Sequence, residues 1–320
     1  MPGFPDPPKA FNLNRALLIG LFLMIAAGAM LPGGIVSQFS KPRNLLPREK
    51  ITDHLHIYSD LSSRDLDFYS IFFEEFTLYF KLKFFQFEQD KPLDMYLFGT
   101  QGKYEFYNNR AGGPRTPFGY YRGPEANLIV VSLESGLGTA THELVHHFIV
   151  KGFTRQPCPV WVAEGLAMFF EKFMGYIDDE GRLFISVGYF SNWRFPQAKA
   201  AVEKLTLDDL LNNRHIAAER SFMLFLYKKG YLQTFINLLR EQDNDPLGLE
   251  TLIQVYGKDK ARIEQEWKEW VRAQPIDANV NLVERAFILD QKGWDAWQEE
   301  NKGRLDWDER EDIFVVRPKE

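Results

Sequence analysis

Residues 142–146 read His-Glu-Leu-Val-His, and this spacing places strict demands on the local backbone. In an α-helix, residues i and i+4 lie on one face, one turn apart. His142 and His146 can then reach a single metal ion at distances of about 2.0–2.1 Å. Glu143 lies one position round the helix, where it cannot join the same coordination but can reach a water held by the ion. The pattern predicts a metal site on a helix, arranged as in metal-activated hydrolases with a glutamate as general base.

The flanking residues are of the kind that begin and end a helix. A β-branched, apolar stretch at 127–132 predicts a strand, and a Gly-Leu-Gly-Thr turn separates it from a helix predicted over 139–151. Thr139 is the expected N-cap of that helix and Gly152 its expected end. The motif is therefore predicted on a helix that directly follows a strand.

A catalytic zinc site needs a third protein ligand and one open position. Glu164 is the only charged residue between 158 and 170, and a carboxylate in such an apolar stretch is costly unless it is paired or bound to metal. It follows His146 by 18 residues, enough for a turn and an antiparallel return of a second helix, predicted over 160–174. The alternatives are that Glu164 is an exposed surface residue, or that Glu171 is the ligand. Glu171 stands beside a lysine at a polar helix end, where solvation is expected.

The segments HELVHH and WVAEGLAMFFE together resemble the gluzincin metallopeptidases. The resemblance is closest to bacterial, often exported, peptidase-MA-like families, in which an E-G-L-A helix follows the H-E-x-x-H helix. It covers about 139–171 by motif and, more loosely, 52–240 by the order of elements. It implies a Zn²⁺ cofactor and peptide or protein substrates. It also assigns His142, His146 and Glu164 as zinc ligands, and Glu143 as the base.

The same resemblance implies a substrate-binding edge strand just before the active helix. A peptide would pair there as an added strand. In this chain the corresponding strand is 127–132, and the implied contact residues are Asn127, Leu128, Ile129 and Val130.

This chain departs from the family pattern at two points. Many gluzincins carry an aspartate four residues after the third ligand, but here that position is Met168. We therefore expect the support around the metal ligands to be different or absent. Many also carry a downstream tyrosine or histidine that stabilises the oxyanion. No residue here stands out for that function, and four candidates are open: His215, Tyr189, Arg220 and Tyr227.

The predicted fold class is α+β and zincin-like, with a small mixed sheet whose edge strand precedes the H-E-x-x-H helix and a mainly helical C-terminal half. Apolar periodicity predicts a helix over 62–87, strands over 54–58 and 92–98, and a hairpin at 118–121 and 127–132. Further helices are predicted over 217–229, 232–240, 247–256 and 259–273. The predicted organisation is a signal or anchor (1–31), a linker (32–50), a zincin-like subdomain with the metal site (51–175), a mainly helical subdomain (176–302) and an acidic tail (303–320).

Residues 16–31 form an uncharged apolar run, which is short for a spanning helix and long for the core of a signal peptide. The Ala-Gly-Ala triplet at 27–29 offers a cleavage site, whereas continuation to residue 36 would give a membrane anchor. The basic residues that follow the run favour a cytoplasmic main domain, but large domains often translocate regardless of flanking charge. We expect an extracytoplasmic protein, periplasmic or secreted, that contacts the membrane through this segment.

The overall charge is −6, with 38 basic and 44 acidic residues, and a nucleic-acid partner is not expected because such proteins usually carry a basic surface. A single cysteine excludes an intramolecular disulfide. Two further interpretations stay open beside hydrolysis. One is a zincin-like binding or regulatory module that keeps the metal but has lost activity. The other is a membrane-anchored structural protein whose helix carries the motif by chance.

Overall fold

A computed structural model of the chain describes residues 42–190, 194–212, 215–274 and 285–303, together with the backbone of 305–308 and 313–316. The apolar segment 16–31, and its possible extension to residue 36, lie outside the described residues. Within these described ranges, no helix combines the length and the apolar content that a membrane span requires.

The chain alternates strands and helices in its first half and is mainly helical in its second. The strands are β1 (Arg48–Ile51), β2 (Leu55–Ser59), β3 (Leu93–Phe98), β4 (Gly119–Arg122), β5 (Leu128–Ser132), β6 (Phe173–Ile177), β7 (Leu183–Val187), β8 (Phe287–Asp290), β9 (Leu305–Asp308) and β10 (Ile313–Val316). The helices are α1 (Ser63–Lys83), α2 (Gln101–Ala111), α3 (Leu137–Gly152), α4 (Val160–Phe169), α5 (Phe195–Val202), α6 (Leu207–Asn212), α7 (Ile216–Lys228), α8 (Leu232–Arg240), α9 (Leu249–Tyr256), α10 (Lys260–Ala273) and α11 (Gln291–Glu300).

The first half is built on a mixed five-stranded sheet with the order β1-β2-β3-β5-β4. The inner strands β2, β3 and β5 are parallel, and the outer strands β1 and β4 are antiparallel to their neighbours. A smaller sheet has the order β7-β6-β8, and β9 and β10 form an antiparallel pair. The chain is therefore α+β with small mixed sheets, as the sequence predicts.

The two faces of the large sheet are covered by different helices. On one face, aromatic residues of α1 pack against α3, with the rings of Phe80 and Phe148 4.7 Å apart. On the other face, Tyr107 of α2 packs against Tyr96 and Phe98 of β3. The side chains of β3 thus point alternately to the helices on the two faces of the sheet, as expected for a strand that is buried on both faces.

The helical second half packs around α7, which is buried along most of its length. Gly165 of α4 lies so close to α7 that an added Cβ would be 2.9 Å from the side chain of Met223. Trp267 of α10 is fully buried and packs edge-on against Phe222 of α7. Close packing between α4 and α7 holds α4 in place beside α3.

The elements differ from the predicted boundaries at several places. The second helix of the motif region ends at Phe169 instead of residue 174, because Phe173–Ile177 pairs with β7 as a strand. The predicted linker 32–50 contains the start of β1. In the predicted acidic tail, the backbone of β9 and β10 forms a hairpin.

Candidate metal centre

Three side chains from two helices converge on one point. The Nε2 atoms of His142 and His146, both on α3, lie 3.1 Å apart. Oε2 of Glu164, on α4, lies 3.9 Å from Nε2 of His142 and 3.8 Å from Nε2 of His146. In the part of the chain that the structure describes, this is the one cluster of metal-ligating side chains with such spacing. The structure thus brings together the three predicted ligands.

The size of this triangle fits a metal ion. From the three distances, the point in the plane of the triangle that is equally far from all three atoms lies about 2.1 Å from each. This is close to the typical zinc distances of about 2.0–2.2 Å to imidazole nitrogen and carboxylate oxygen. Two imidazoles and one carboxylate are also a donor set that suits zinc and leaves a fourth position open. The residues present therefore fit a catalytic type of metal site.

The buried face of α3 fixes the direction in which the histidines point. Leu144, Val145 and Phe148 are buried in the core beneath the large sheet. The histidine side chains, on another face of the helix, are 17% and 21% exposed. The helix begins at Leu137 after Gly136, and not after the predicted N-cap Thr139, because Gly136 adopts φ 110°, a conformation that favours glycine.

The end of α4 is attached directly to the first turns of α3. The hydroxyl of Thr141 donates to the carbonyl of Phe170 over 2.8 Å. Gly138 allows this approach, because a Cβ there would lie 2.3 Å from the carbonyl oxygen of Glu171. The two helices are therefore held together at one end, and the antiparallel return brings Glu164 to the histidines.

Glu143, the predicted base, lies beside the cluster and is bonded to the sheet. Its Oε2 accepts a hydrogen bond of 2.8 Å from the backbone N–H of Tyr121 in β4. Burial raises the pKa of Glu143 to about 7; His142 opposes this increase, and Glu164 adds to it. A carboxyl group with a pKa near neutrality can both take up and release a proton in the same reaction cycle.

Glu171 contradicts the prediction that it is solvated. Its side chain is only 19% exposed, and Oε1 lies 3.0 Å from Nδ1 of His142. Oε2 lies 2.9 Å from Nη1 of Arg194. Burial raises the pKa of Glu171, but His142, Arg194 and Arg220 outweigh burial and lower it below its usual range. The support around the ligands, expected to be different or absent because of Met168, is thus different: a carboxylate seven residues after Glu164 contacts His142.

The field at the site favours a positive charge. Burial alone would lower the pKa of His142, but the contact with Glu171 and the nearby Glu143 and Glu164 raise it to about 9. Three carboxylates around two imidazoles attract a proton, and they attract a divalent cation for the same reason. Proton and cation therefore compete for the same nitrogen atoms.

The predicted edge strand lies inside the sheet. β5 pairs with β3 on one side and with β4 on the other, so Leu128, Ile129 and Val130 have strand neighbours on both sides. Asn127 precedes β5 in a turn with φ 47°, and its side-chain amide donates to the carbonyl of Pro92. The edge strand next to α3 is β4. The chain forms β4 at the edge of the sheet first, and the hairpin then places β5 between β4 and β3.

Two of the four oxyanion candidates belong to one buried group behind α4. The guanidinium of Arg220 is buried and donates to the carbonyls of Met168 and Tyr189. Tyr189 is also buried, and its hydroxyl donates to Ser186. The positive charge of Arg220 helps to lower the pKa of Glu171, the carboxylate beside His142.

The other two candidates belong to α7 and its N-terminus. His215 caps α7, with Nδ1 accepting a hydrogen bond from the backbone N–H of Ala218. The ring of Tyr227 packs against Phe169 at 5.0 Å. These contacts give both residues a place in the packing and capping of α7.

Two residues beside the cluster, His147 and Tyr121, connect α3 to β4, and the sequence did not single out Tyr121. His147 is buried, which lowers its pKa to about 3, so the ring is neutral. Its Nδ1 lies 3.3 Å from the hydroxyl of Tyr121, whose backbone N–H binds Glu143. The burial of His147 could have been predicted from its position next to Phe148, on the buried side of α3. The contacts of Tyr121 depend on which strand lies at the edge, which the local pattern does not give.

The site combines a cluster that fits a divalent cation with a neighbouring carboxyl group of near-neutral pKa, beside β4, which is an edge strand of the sheet that the described residues form. Such an arrangement can activate a water and present an extended chain to it. Neither models of known protein families nor curated proteins match this chain.

Proposed function

We propose that this chain is a zinc-dependent peptidase of the gluzincin type with a zincin-like fold. The observation that carries the proposal is the convergence of His142, His146 and Glu164 on one point, with Glu143 beside it. The mixed sheet, the H-E-x-x-H helix directly after a strand of that sheet and the glutamate on the next helix support the same conclusion.

His142, His146 and Glu164 would hold the metal. A zinc ion bound there supplies Lewis acidity, which lowers the pKa of a water and polarises the scissile carbonyl. Glu143 takes the proton from the attacking water and transfers it to the leaving amine. Oε1 of Glu171 lies 3.0 Å from Nδ1 of His142, and its charge would favour the ring orientation in which Nε2 faces the metal position.

We propose β4 in place of β5 as the strand that pairs with the substrate. It is the edge nearest α3, and an extended peptide can add to its free side. An extracytoplasmic location, with membrane contact through the N-terminal segment, is part of the same proposal. It is supported by the apolar run at 16–31.

The proposal is tested with purified full-length protein by metal analysis and by hydrolysis of a mixed peptide library. We expect about one zinc per chain and cleavage that a chelator abolishes and added zinc restores. Glu143→Gln should keep zinc and the melting temperature but lose about 10²–10⁴-fold in kcat, the usual contribution of a general base. Glu250→Gln, an exposed glutamate of α9, is the matched control and should behave as wild type.

Two results would refute the proposal. One is a protein that binds no zinc and shows no chelator-dependent change in melting. The other is a Glu143→Gln variant that cleaves peptides at the wild-type rate.

A second candidate is a zincin-like binding or regulatory module that is catalytically inactive. It is favoured by the contacts of the four oxyanion candidates, which place them in packing and capping around α4 and α7. Stoichiometric zinc without turnover on any peptide or protein pool would support this candidate over the peptidase.

A further inference from the structure

The register of β4 shows which of its backbone groups face the free edge. β4 is antiparallel to β5, with Tyr121 opposite Ile129. In an antiparallel pair, residues alternate between positions that bond to the neighbour and positions whose N–H and C=O point away. Because the N–H of Tyr121 donates to Glu143, Tyr121 is at an outward position. The outward groups of β4 therefore belong to Gly119 and Tyr121, and Tyr120 and Arg122 bond to β5.

Glu143 uses one of these outward amides. The N–H of Tyr121 approaches Oε2 to 2.8 Å, so this carboxylate oxygen is occupied by the sheet edge. The other oxygen, Oε1, is left for a water. A hydrogen bond from a backbone amide to an ionised carboxylate is stronger than one between neutral groups, and it restricts the rotation of the side chain.

Two further contacts hold β4 against α3 at this point. The hydroxyl of Tyr121 lies 3.3 Å from Nδ1 of His147. Gly119 approaches α3 closely, since a Cβ there would lie 3.3 Å from Cγ2 of Thr139. The amide of Tyr121 is thus fixed relative to the helix that carries Glu143.

We propose that the backbone amide of Tyr121 is a positioning group for Glu143: it holds Oε2 at the edge of the sheet and directs Oε1 to the attacking water. The proposal rests on the peptidase function for its catalytic consequence. It also has a substrate consequence, because a peptide that adds to β4 finds this outward N–H already used. Pairing on that side then relies on both outward groups of Gly119 and on the carbonyl of Tyr121.

The hydrogen bond itself is tested without any enzymatic assay. Amide hydrogen exchange of the metal-free protein is followed residue by residue in wild type and in Glu143→Ala. An outward edge-strand amide without an acceptor exchanges readily, so we expect protection at Tyr121 in wild type and a loss of about tenfold or more in the variant. The control is the amide of Arg122, which bonds within the sheet and should keep its protection. Equal protection of Tyr121 in both proteins would overturn the proposal.

The catalytic consequence is tested by replacing the amide of Tyr121 with an ester, using the α-hydroxy acid of tyrosine. This change removes the N–H and keeps the side chain. We expect kcat to fall about 10- to 100-fold, the usual cost of misplacing a catalytic group, with KM, zinc content and melting temperature kept. Glu250→Gln, at an exposed position of α9 away from the site, is the control and should keep the wild-type kcat.

The possible outcomes separate this proposal from the proposed function. An unchanged kcat in the ester variant, or a loss that follows a loss of zinc, would overturn the positioning function. An inactive wild type would refute the peptidase. The hydrogen-exchange result would still decide whether the amide of Tyr121 holds Glu143.

Discussion

The two nitrogen atoms of the His142 ring face regions of different origin. Nε2 faces His146 and Glu164, which come from regular helices and converge on one point. Nδ1 faces Glu171, which lies beyond the end of α4 and is paired with Arg194 at the start of α5. The first region follows from helical periodicity, whereas the second depends on how the chain leaves a helix.

Because of this difference, we expect the two regions to contribute differently to zinc affinity. In the proposed zinc site, the Nε2 region supplies the ligands, so its loss should remove the site. The Nδ1 region would orient one ligand and raise its basicity, so its loss should weaken the site in graded steps. Variants on the two sides of one imidazole can separate these contributions.

The largest effect is expected on the Nε2 side. Glu164→Ala removes one of three ligands and should weaken zinc affinity more than about 100-fold, beyond the range for residues that only support a ligand. Zinc affinity is measured by competition with a chelator of known affinity, with Glu250→Ala, at an exposed position of α9, as the control. Zinc affinity within a few-fold of wild type would show that Glu164 is not a ligand.

An intermediate effect is expected on the Nδ1 side. Glu171→Gln keeps the shape of the side chain but removes the charge that faces His142 and Arg194. Zinc affinity should fall about 10- to 100-fold, as it does for other residues that orient a metal-bound histidine. The same competition assay checks this. An affinity unchanged within twofold would erase the distinction between the two sides, because Nδ1 would then need no partner.

The sequence predicted the Nε2 side because its geometry is local. The spacing of His142 and His146 needs only a helix, and Glu164 needs only a second helix of opposite direction. The class of fold was predicted for the same reason. Helix α8, for example, has the bounds that the apolar period indicates.

The sequence did not predict the Nδ1 side because its geometry is tertiary. Glu171 looked like a solvated residue at the end of a long helix, but that helix stops at Phe169 and the strand β6 begins at Phe173. The cause is pairing of β6 with β7, which overrides local propensity. The edge strand was misplaced for a similar reason, since strand order in a sheet is not encoded in any one strand.

The smallest effect on the metal is expected where the backbones of α3 and the turn after α4 meet. In Gly138→Ala the added Cβ would lie 2.3 Å from the carbonyl oxygen of Glu171, so the turn must move. Overpacking of this kind costs about 1–3 kcal/mol, and the better helix propensity of alanine offsets up to about 1 kcal/mol. We expect a melting temperature lower by a few degrees, at about 2–4 °C per kcal/mol, and a loss of zinc affinity smaller than that of Glu171→Gln. The matched control is Gly102→Ala at an exposed position of α2, where a Cβ meets no atom within 4 Å and should stabilise the protein slightly. If Gly138→Ala behaved like Gly102→Ala in both measurements, the position of Glu171 would not depend on the contact between α3 and the turn after α4. The geometry on the Nδ1 side of His142 would then be less dependent on tertiary packing than we infer.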